Sequence, residues 1–358
     1  MNNSYVANIG PRPTLSPKAI PNHLASKGCV VRSVNWLGDA VMTVPAVYRI
    51  KQSLPQGAKL SIVCIKSLEQ FWASFPWVDQ VIAMNGKHVK REETEKICNL
   101  KAGFAVIFPN SFGSALDLFL KNIPLRIGRG GRMRGFMLNR RLPSWRRKAG
   151  QDKNHQLREY LQIAQACGAD AWDDYFEPAK PKIDLTKLER KGYKSIKDTW
   201  LAIAPGAAFG PAKQWPLSHY AQAAAWWIKE GGKCVILGAP GEEAHGEEVH
   251  QQCPEALNLV GKTSIPELMY ILGESKFCIV NDSGAMHLAA SVSAKGVAIF
   301  GSTDPTATGP LGGNWKVIWT RPDCSPCLQK QCPLPTDKYK CLSSATVEMV
   351  TNELDVMR

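Results

Sequence analysis

Short apolar runs alternate along this chain with stretches of helical spacing. CVVRSV at 29–34 reads as a buried strand. A helix follows to about Gln52, with Val41, Val44, Val47 and Tyr48 at helical spacing and an expected kink at Pro45. Strands are predicted at 59–65 and 79–84 with a short helix between, and at Phe104–Phe108, which stops at Pro109-Asn110-Ser111. Residues 114–121 read as helix, 125–128 as a short strand, and 154–168 as a helix carrying Leu157, Leu161 and Ala164. A polar stretch at 170–198, with Pro178 and Pro181, interrupts the pattern. It restarts at Leu201, with strands at 233–238, 257–260, 277–281 and 296–300 between helices near 217–230, 242–252, 265–273 and 284–294. Strand–helix alternation predicts parallel α/β sheets. The expected layout is a loose N-terminal tail at 1–27, a Rossmann-like domain at 28–175, a linker at 176–199, a second Rossmann-like domain at 200–340 and a C-terminal helix at 341–358.

Length agrees with two domains, since 358 residues divide into units of roughly 150. Composition adds a formal charge of +13, which calls for an anionic partner: phosphorylated substrate, acidic lipid headgroups or nucleic acid. No apolar run approaches the roughly 20 residues of a membrane helix, and the proline-rich N-terminus lacks the apolar segment of a signal peptide. A cytoplasmic protein that rests on a membrane surface is the expectation. Cys29, Cys64, Cys167, Cys234 and Cys278 lie in or beside apolar runs and read as reduced core residues.

The chemistry gathers in loops after strands. Residues 205–216, PGAAFGPAKQWP, follow an apolar strand with small residues and one cation, Lys213. Small residues let backbone N–H groups approach a phosphate, and a lysine adds a point charge. Asp39, in Trp36-Leu37-Gly38-Asp39, starts the first long helix; there it is either a general base facing the ligand or a helix cap. Asn281-Asp282-Ser283-Gly284 opens another helix, with Ser283 and His287 on one face, suited either to phosphate or ribose contact or to capping and packing. Gly261-Lys262-Thr263 imitates the end of a P-loop, but Ala256 stands where its first glycine belongs. Ser264 and Glu267 instead predict a capping box.

Between Asp117 and Asp152 there is no acidic residue, while Arg126, Arg129, Arg132, Arg134, Arg140, Arg141, Arg146, Arg147 and Lys148 accumulate. Phe136 and Trp145 add aromatic surface for a membrane interface. Such a run meets anionic sugars, phosphates or a leaflet, with RNA as the competing use. Cys324, Cys327, Cys332 and Cys341 fall within 18 residues, a spacing open to structural zinc, disulfides or plain thiols.

Five stretches together resemble the bacterial ADP-heptose:lipopolysaccharide heptosyltransferases of glycosyltransferase family 9. They are WLGDAVMTVPA, PNSFGSAL at 109–116, GRGGRMRGFMLN at 128–139, PGAAFGPAKQWP at 205–216 and NDSGAMHLAA at 281–290. The PGAxFGPAKxWP form and the PNSF segment point to the type II branch. The resemblance implies a GT-B fold, two Rossmann-like domains facing a central cleft. It implies that the enzyme moves heptose from ADP-heptose to heptosyl-Kdo-lipid A with inversion. Asp39 would be the catalytic base. Gly206, Ala207, Ala208, Phe209, Lys213, Asp282, Ser283, Gly284 and His287 would bind the donor. Asn110, Ser111, Arg129, Arg132 and Arg134 are expected to bind the lipid A-linked acceptor. No cofactor is expected to be required, structural zinc at the cysteines apart, and no nucleic acid partner. The expected location is the cytoplasmic face of a Gram-negative inner membrane, held peripherally. Type I members carry hydroxyl residues where Ala208 and Phe209 stand, and an acidic ribose ligand for which Gly238-Ala239-Pro240-Gly241-Glu242 offers no assigned residue. Alternatives are another family 9 transferase, including the type I enzyme, a sugar-nucleotide epimerase, or an RNA-binding protein.

Overall fold

The computed structural model describes residues 4–13, 19–144, 154–196 and 199–358. Two compact units share the chain: Ile9–Lys180, and Pro181–Arg358 joined by the N-terminal stretch through Asn8.

The first unit holds a parallel sheet of β1 (Cys29–Arg32), β2 (Leu60–Ile65), β3 (Gln80–Met84), β4 (Phe104–Ile107), β5 (Leu125–Arg129) and β6 (Arg140–Leu142). Its strand order is β3-β2-β1-β4-β5-β6. The second unit repeats the design with β7 (Trp200–Ala204), β8 (Lys233–Ile236), β9 (Leu257–Asn258), β10 (Phe277–Asn281), β11 (Lys295–Phe300) and β12 (Asn314–Trp319), in the order β12-β11-β10-β7-β8-β9. Both are the doubly wound order, with chain direction across the sheet reversing between β1 and β4 and between β7 and β10. The central strands β1, β4, β7 and β10 are buried throughout, as strands covered by helices on both faces must be. These apolar runs are what made the fold readable.

Weakly apolar elements escaped the pattern. β6 is three residues long and begins Arg140-Arg141. The helix Arg91–Asn99 buries only Glu93 and Ile97. The helix Leu37–Gln52 passes through Pro45 as one element.

The expected tail and linker are packed rather than loose where the structure describes them. Tyr5 N–H donates to the Trp315 carbonyl at 2.7 Å and its hydroxyl to the Pro305 carbonyl at 2.8 Å. Arg158 donates to the carbonyls of Ile9 and Pro11. In the stretch expected as linker, the break between units falls after Lys180. Beyond it lies a helix, Leu185–Arg190, capped by Asp184. Lys191 Nζ pairs with Glu267 at 2.8 Å, and Tyr193 stacks on Trp200 at 4.8 Å. Its many charges hid an apolar anchor, the buried Leu188 and Tyr193. The C-terminal segment forms two helices, Lys340–Ser343 and Val347–Val356.

Candidate functional site

Ligands of doubly wound sheets bind outside the carboxyl ends of the strands where direction reverses. Four of the resembling motifs leave those strand ends: Asn35–Asp39 after β1, Asn110–Ser111 after β4, residues 205–216 after β7, and Asp282–Gly284 after β10. Each unit thus presents a pair of motif loops at its own reversal point.

In the first unit, Asp39 is the third residue of the helix that begins at Leu37, and Trp36 occupies the cap position. Capping therefore does not account for Asp39. Its carboxylate accepts from Gln156 Nε2 at 3.2 Å and is half-buried. The turn before it is pinned by Arg32, a fully buried guanidinium at the end of β1. Arg32 pairs with buried Asp117 at 3.2 Å and donates to Asn35 Oδ1 at 3.1 Å. Burial pushes its pKa down, and the Asp117 carboxylate opposes that. A buried cation with its partner and carbonyl acceptors is stable; without them it is not.

The arginine run divides. Arg134 is completely buried and its guanidinium donates to the carbonyls of Arg129, Pro109 and Ser111 and to Asn110 Oδ1. Burial, and then the charge of Arg132, push its pKa down to about 10. Arg129 is buried too, donating to Pro143 O, Glu159 O and Gln162 Oε1. Both were expected to face the acceptor; in the structure they hold the protein together, because a guanidinium offers five donors for scattered carbonyls. Arg134 in particular shapes the Asn110–Ser111 loop, where Ser111 caps the helix Phe112–Phe119 by accepting from Ser114 N–H at 3.2 Å. Arg132 is exposed, with Met133 and Phe136 exposed near it in sequence. Trp145, Arg146, Arg147 and Lys148 lie outside the described residues.

In the second unit, the loop at 206–213 is built for close approach. Gly210 has φ +140°, and a Cβ there would sit 2.6 Å from the Lys330 carbonyl. At Gly206 an added Cβ would meet the Glu242 carboxyl at 2.2 Å, so Glu242 lies directly over the loop's first glycine. Its carboxylate accepts from Ala239 N–H at 2.8 Å. Ala207 is half-buried, and Ala208 and Phe209 are exposed. Lys213 Nζ lies 4.9 Å from the Phe209 ring centroid and 2.5 Å from Asp282 Oδ2. Thr303 Oγ1 donates to that same oxygen at 2.5 Å.

Behind the loop stands Asn281, fully buried at the end of β10. Its Oδ1 accepts from Trp215 N–H and Tyr220 OH, both at 2.9 Å. Its Nδ2 donates to the carbonyls of Pro205 at 2.9 Å and Gly206 at 3.2 Å. One amide thus ties the two ends of the lysine loop together. Ser283 and Gly284 begin the helix Gly284–Ser291. Ser283 Oγ and His287 Nδ1 are buried and have no protein partner, in a place where buried polar atoms are normally satisfied. Burial holds the His287 imidazole at about 4, Asp282 pulling it up and Lys213 pushing it down. A neutral imidazole and a hydroxyl with unused capacity, beside a lysine, are what a bound phosphoryl or sugar group requires.

Thr303 was not picked out from sequence; Asn281 was named only as the start of its motif, and Glu242 only within a stretch that offered no assigned ribose ligand. Asn281 was the detectable one: a polar residue closing an otherwise apolar strand. The P-loop imitation resolves as expected, with Ser264 and Glu267 forming a reciprocal capping box. Among the described residues no group of three or more His, Cys, Asp or Glu side chains is placed to hold a metal ion. No helix among them is long and apolar enough to cross a membrane.

Comparison with known proteins gives the family and the fold. The profile of Glycosyltransferase family 9 (heptosyltransferase) matches residues 92–338. Lipopolysaccharide heptosyltransferase 2 of Salmonella typhimurium is 30% identical over 79% of this chain and 85% of its own length. Lipooligosaccharide heptosyltransferase 2 of Haemophilus influenzae is 29% identical over 79% and 86%. The structure of E. coli ADP-heptose lps heptosyltransferase II superposes with a TM-score of 0.76, at 24% identity, over 92% of this chain and 98% of that one. A family 9 glycosyl transferase from Veillonella parvula gives 0.77 at 19% identity, over 93% and 97%. Two doubly wound parallel sheets of GT-B type, motif loops at both reversal points and these likenesses lead to one conclusion: this chain belongs to glycosyltransferase family 9, the heptosyltransferases.

Proposed function

We propose that this enzyme transfers heptose from ADP-heptose to heptosyl-Kdo-lipid A during synthesis of the lipopolysaccharide inner core. The observation that carries the reading is the loop at 205–213 with its paired Lys213 and, across from it, the unsatisfied Ser283 and His287. The likeness to lipopolysaccharide and lipooligosaccharide heptosyltransferase 2 relatives over 79% of the chain supports a heptose donor and a lipopolysaccharide acceptor. Family membership sets aside the epimerase and RNA-binding readings.

In this mechanism the acceptor hydroxyl attacks the anomeric carbon of the donor while its proton passes to the Asp39 carboxylate. The bond from that carbon to the β-phosphate oxygen breaks, and ADP leaves with the electron pair. A single displacement of this kind inverts the anomeric centre. Lys213 meets the charge that grows on the diphosphate, sharing itself between the leaving group and Asp282. Backbone N–H groups of Gly206–Phe209 and of Ser283–Gly284 complete the anion site, which stands in for a metal ion. The Glu242 carboxylate, over Gly206, would accept from ribose hydroxyls, the role that the sequence left unassigned. Arg132 and the Asn110–Ser111 loop meet the acceptor, whereas Arg134 shapes that loop from within. Exposed Met133, Phe136 and Phe112 form the apolar edge of a surface that rests on an anionic leaflet, peripherally and from the cytoplasmic side.

The test is mass-spectrometric detection of heptose on heptosyl-Kdo-lipid A and on Kdo-lipid A. Gain only on the heptosylated acceptor is expected, and Asp39→Asn should abolish it with ADP affinity unchanged. Gain on the bare Kdo acceptor moves the assignment to the type I reaction. Turnover by the Asp39 variant removes that residue as base.

A further inference from the structure

Trp36 is out of keeping with its position. Among the described residues it is the one exposed indole, 76% accessible, where the others are buried or half-buried. As the N-cap of the helix Leu37–Gln52 it gives no side-chain hydrogen bond to the first turn. An indole nitrogen only donates, so it cannot serve there. Ser111, Asp184, Ser264, Asp304 and Thr346 fill the same position in other helices, and each accepts a backbone N–H. Short polar residues are favoured at an N-cap for that reason. A large apolar ring that neither packs nor caps breaks two local rules at once, and such breaches gather at functional sites.

The backbone that carries the ring is locked. Arg32 donates to the Ser33 carbonyl at 2.5 Å and to Asn35 Oδ1 at 3.1 Å. Trp72 Nε1 donates to Ser33 Oγ at 2.9 Å, and Val34 is buried. On the far side Ala40 N–H donates to the Trp36 carbonyl at 2.8 Å. Asp39 lies three positions on. The N-cap and the third helical residue are the two that meet in a capping box, as Ser264 and Glu267 do, so the side chains of Trp36 and Asp39 leave the helix start as neighbours. The indole makes no hydrogen bond or ring contact with any other described residue.

We propose that the Trp36 indole is the platform on which the pyranose ring of the acceptor's terminal heptose stacks, and so a determinant of which acceptor is taken. The inference rests on the reading of Asp39 as base for an acceptor bound to the first unit. A pyranose has a face of C–H groups and a rim of hydroxyls. The indole offers an electron-rich face that attracts C–H groups and an N–H at its edge for a hydroxyl. Stacking takes both apolar faces out of water and leaves the rim free, one hydroxyl toward the neighbouring carboxylate. A base stands within a hydrogen bond of the proton it takes, so an aromatic face beside it holds the attacking sugar rather than the remote lipid. An exposed indole also suits a bilayer interface, but the carboxylate beside this one opposes an anionic leaflet.

The experiment compares the full chain with its Trp36→Ser and Trp36→Phe variants. Steady-state kinetics are measured with ADP-heptose and heptosyl-Kdo-lipid A, intact and fully deacylated. Serine restores a cap, so Trp36→Ser should unfold in urea at a midpoint no lower than that of the wild type. Its KM for both acceptors should rise about tenfold, for one aromatic face lost, with kcat and ADP affinity nearly unchanged. Trp36→Phe keeps a smaller ring and should recover most of the KM. An unchanged acceptor KM in Trp36→Ser would overturn the platform. So would a rise confined to the intact lipid, which gives the indole to the bilayer, or a lower midpoint with weaker ADP binding, which makes it a packing residue. Wild-type protein that transfers to neither acceptor would overturn the function on which the inference rests, and the inference with it. Normal wild-type turnover beside an unaffected serine variant overturns the platform alone.

Discussion

The amide of Asn281 makes a sharp prediction about what shapes the lysine loop. Replacing it with leucine, of the same branched outline though larger, removes the shared acceptor of Trp215 N–H and Tyr220 OH and the shared donor to the carbonyls of Pro205 and Gly206. Four buried polar groups then lose their hydrogen bonds. At about 1 kcal/mol for each, the loss is about 4 kcal/mol, and desolvation of groups that find no water raises it. Tyr220→Phe is the built-in comparison, because it removes one of the four and leaves Asn281 in place; about 1 kcal/mol is expected. Urea unfolding followed by tryptophan fluorescence measures both, Trp215 being in the affected loop. Amide hydrogen exchange across 206–215 locates the loss, and calorimetry of ADP binding shows its effect on the site. Asn281→Leu should cost several times what Tyr220→Phe costs and weaken ADP at least tenfold. Equal stability losses in the two variants, with ADP affinity unchanged, would refute the argument and assign the loop's shape to Pro205 and Gly210 alone.

Two further predictions follow from buried basic groups. His287 takes its proton near 4 when folded and near 6.5 when unfolded, so between those values the unfolded chain binds more protons. Stability is therefore complete above pH 6.5 and lost as pH falls toward 4, by about 3 kcal/mol at most; His287→Gln should flatten that part of a stability–pH curve. Arg134→Met should leave Pro109, Ser111 and Asn110 without their donor, raising the acceptor KM about tenfold while ADP affinity holds; a variant with ordinary acceptor KM would show that the loop keeps its shape unaided.

How much could be read beforehand depended on what each residue does. Central strands such as FCIVN at β10 are uniformly apolar because both faces are covered, and such runs stand out in any sequence. The motif loops were legible because glycine, proline and a lone lysine mark where backbone must come close to an anion. Arg134 and Arg132 are two residues apart in one arginine-rich run, yet one is buried among carbonyls and the other exposed. Charge alone does not distinguish them, since a guanidinium serves equally for a phosphate and for the protein's own backbone. Glu242 was hidden for a related reason: it reaches Gly206 across a turn, 36 positions away in sequence. The linker misled because its charges advertise solvent, while Leu188 and Tyr193 are buried beneath them.

The docking of Tyr5 against Trp315 has a colloidal side. β12 ends its sheet, and a terminal strand with open N–H and C=O groups is a template on which a second molecule can grow. Ser4 and Tyr5 occupy part of that rim, bonding to Asn314 and Trp315 and seating a phenol ring against Gly309. A few residues before the first domain thus serve as a selvedge, the finished margin that keeps a woven sheet from ravelling into its neighbour.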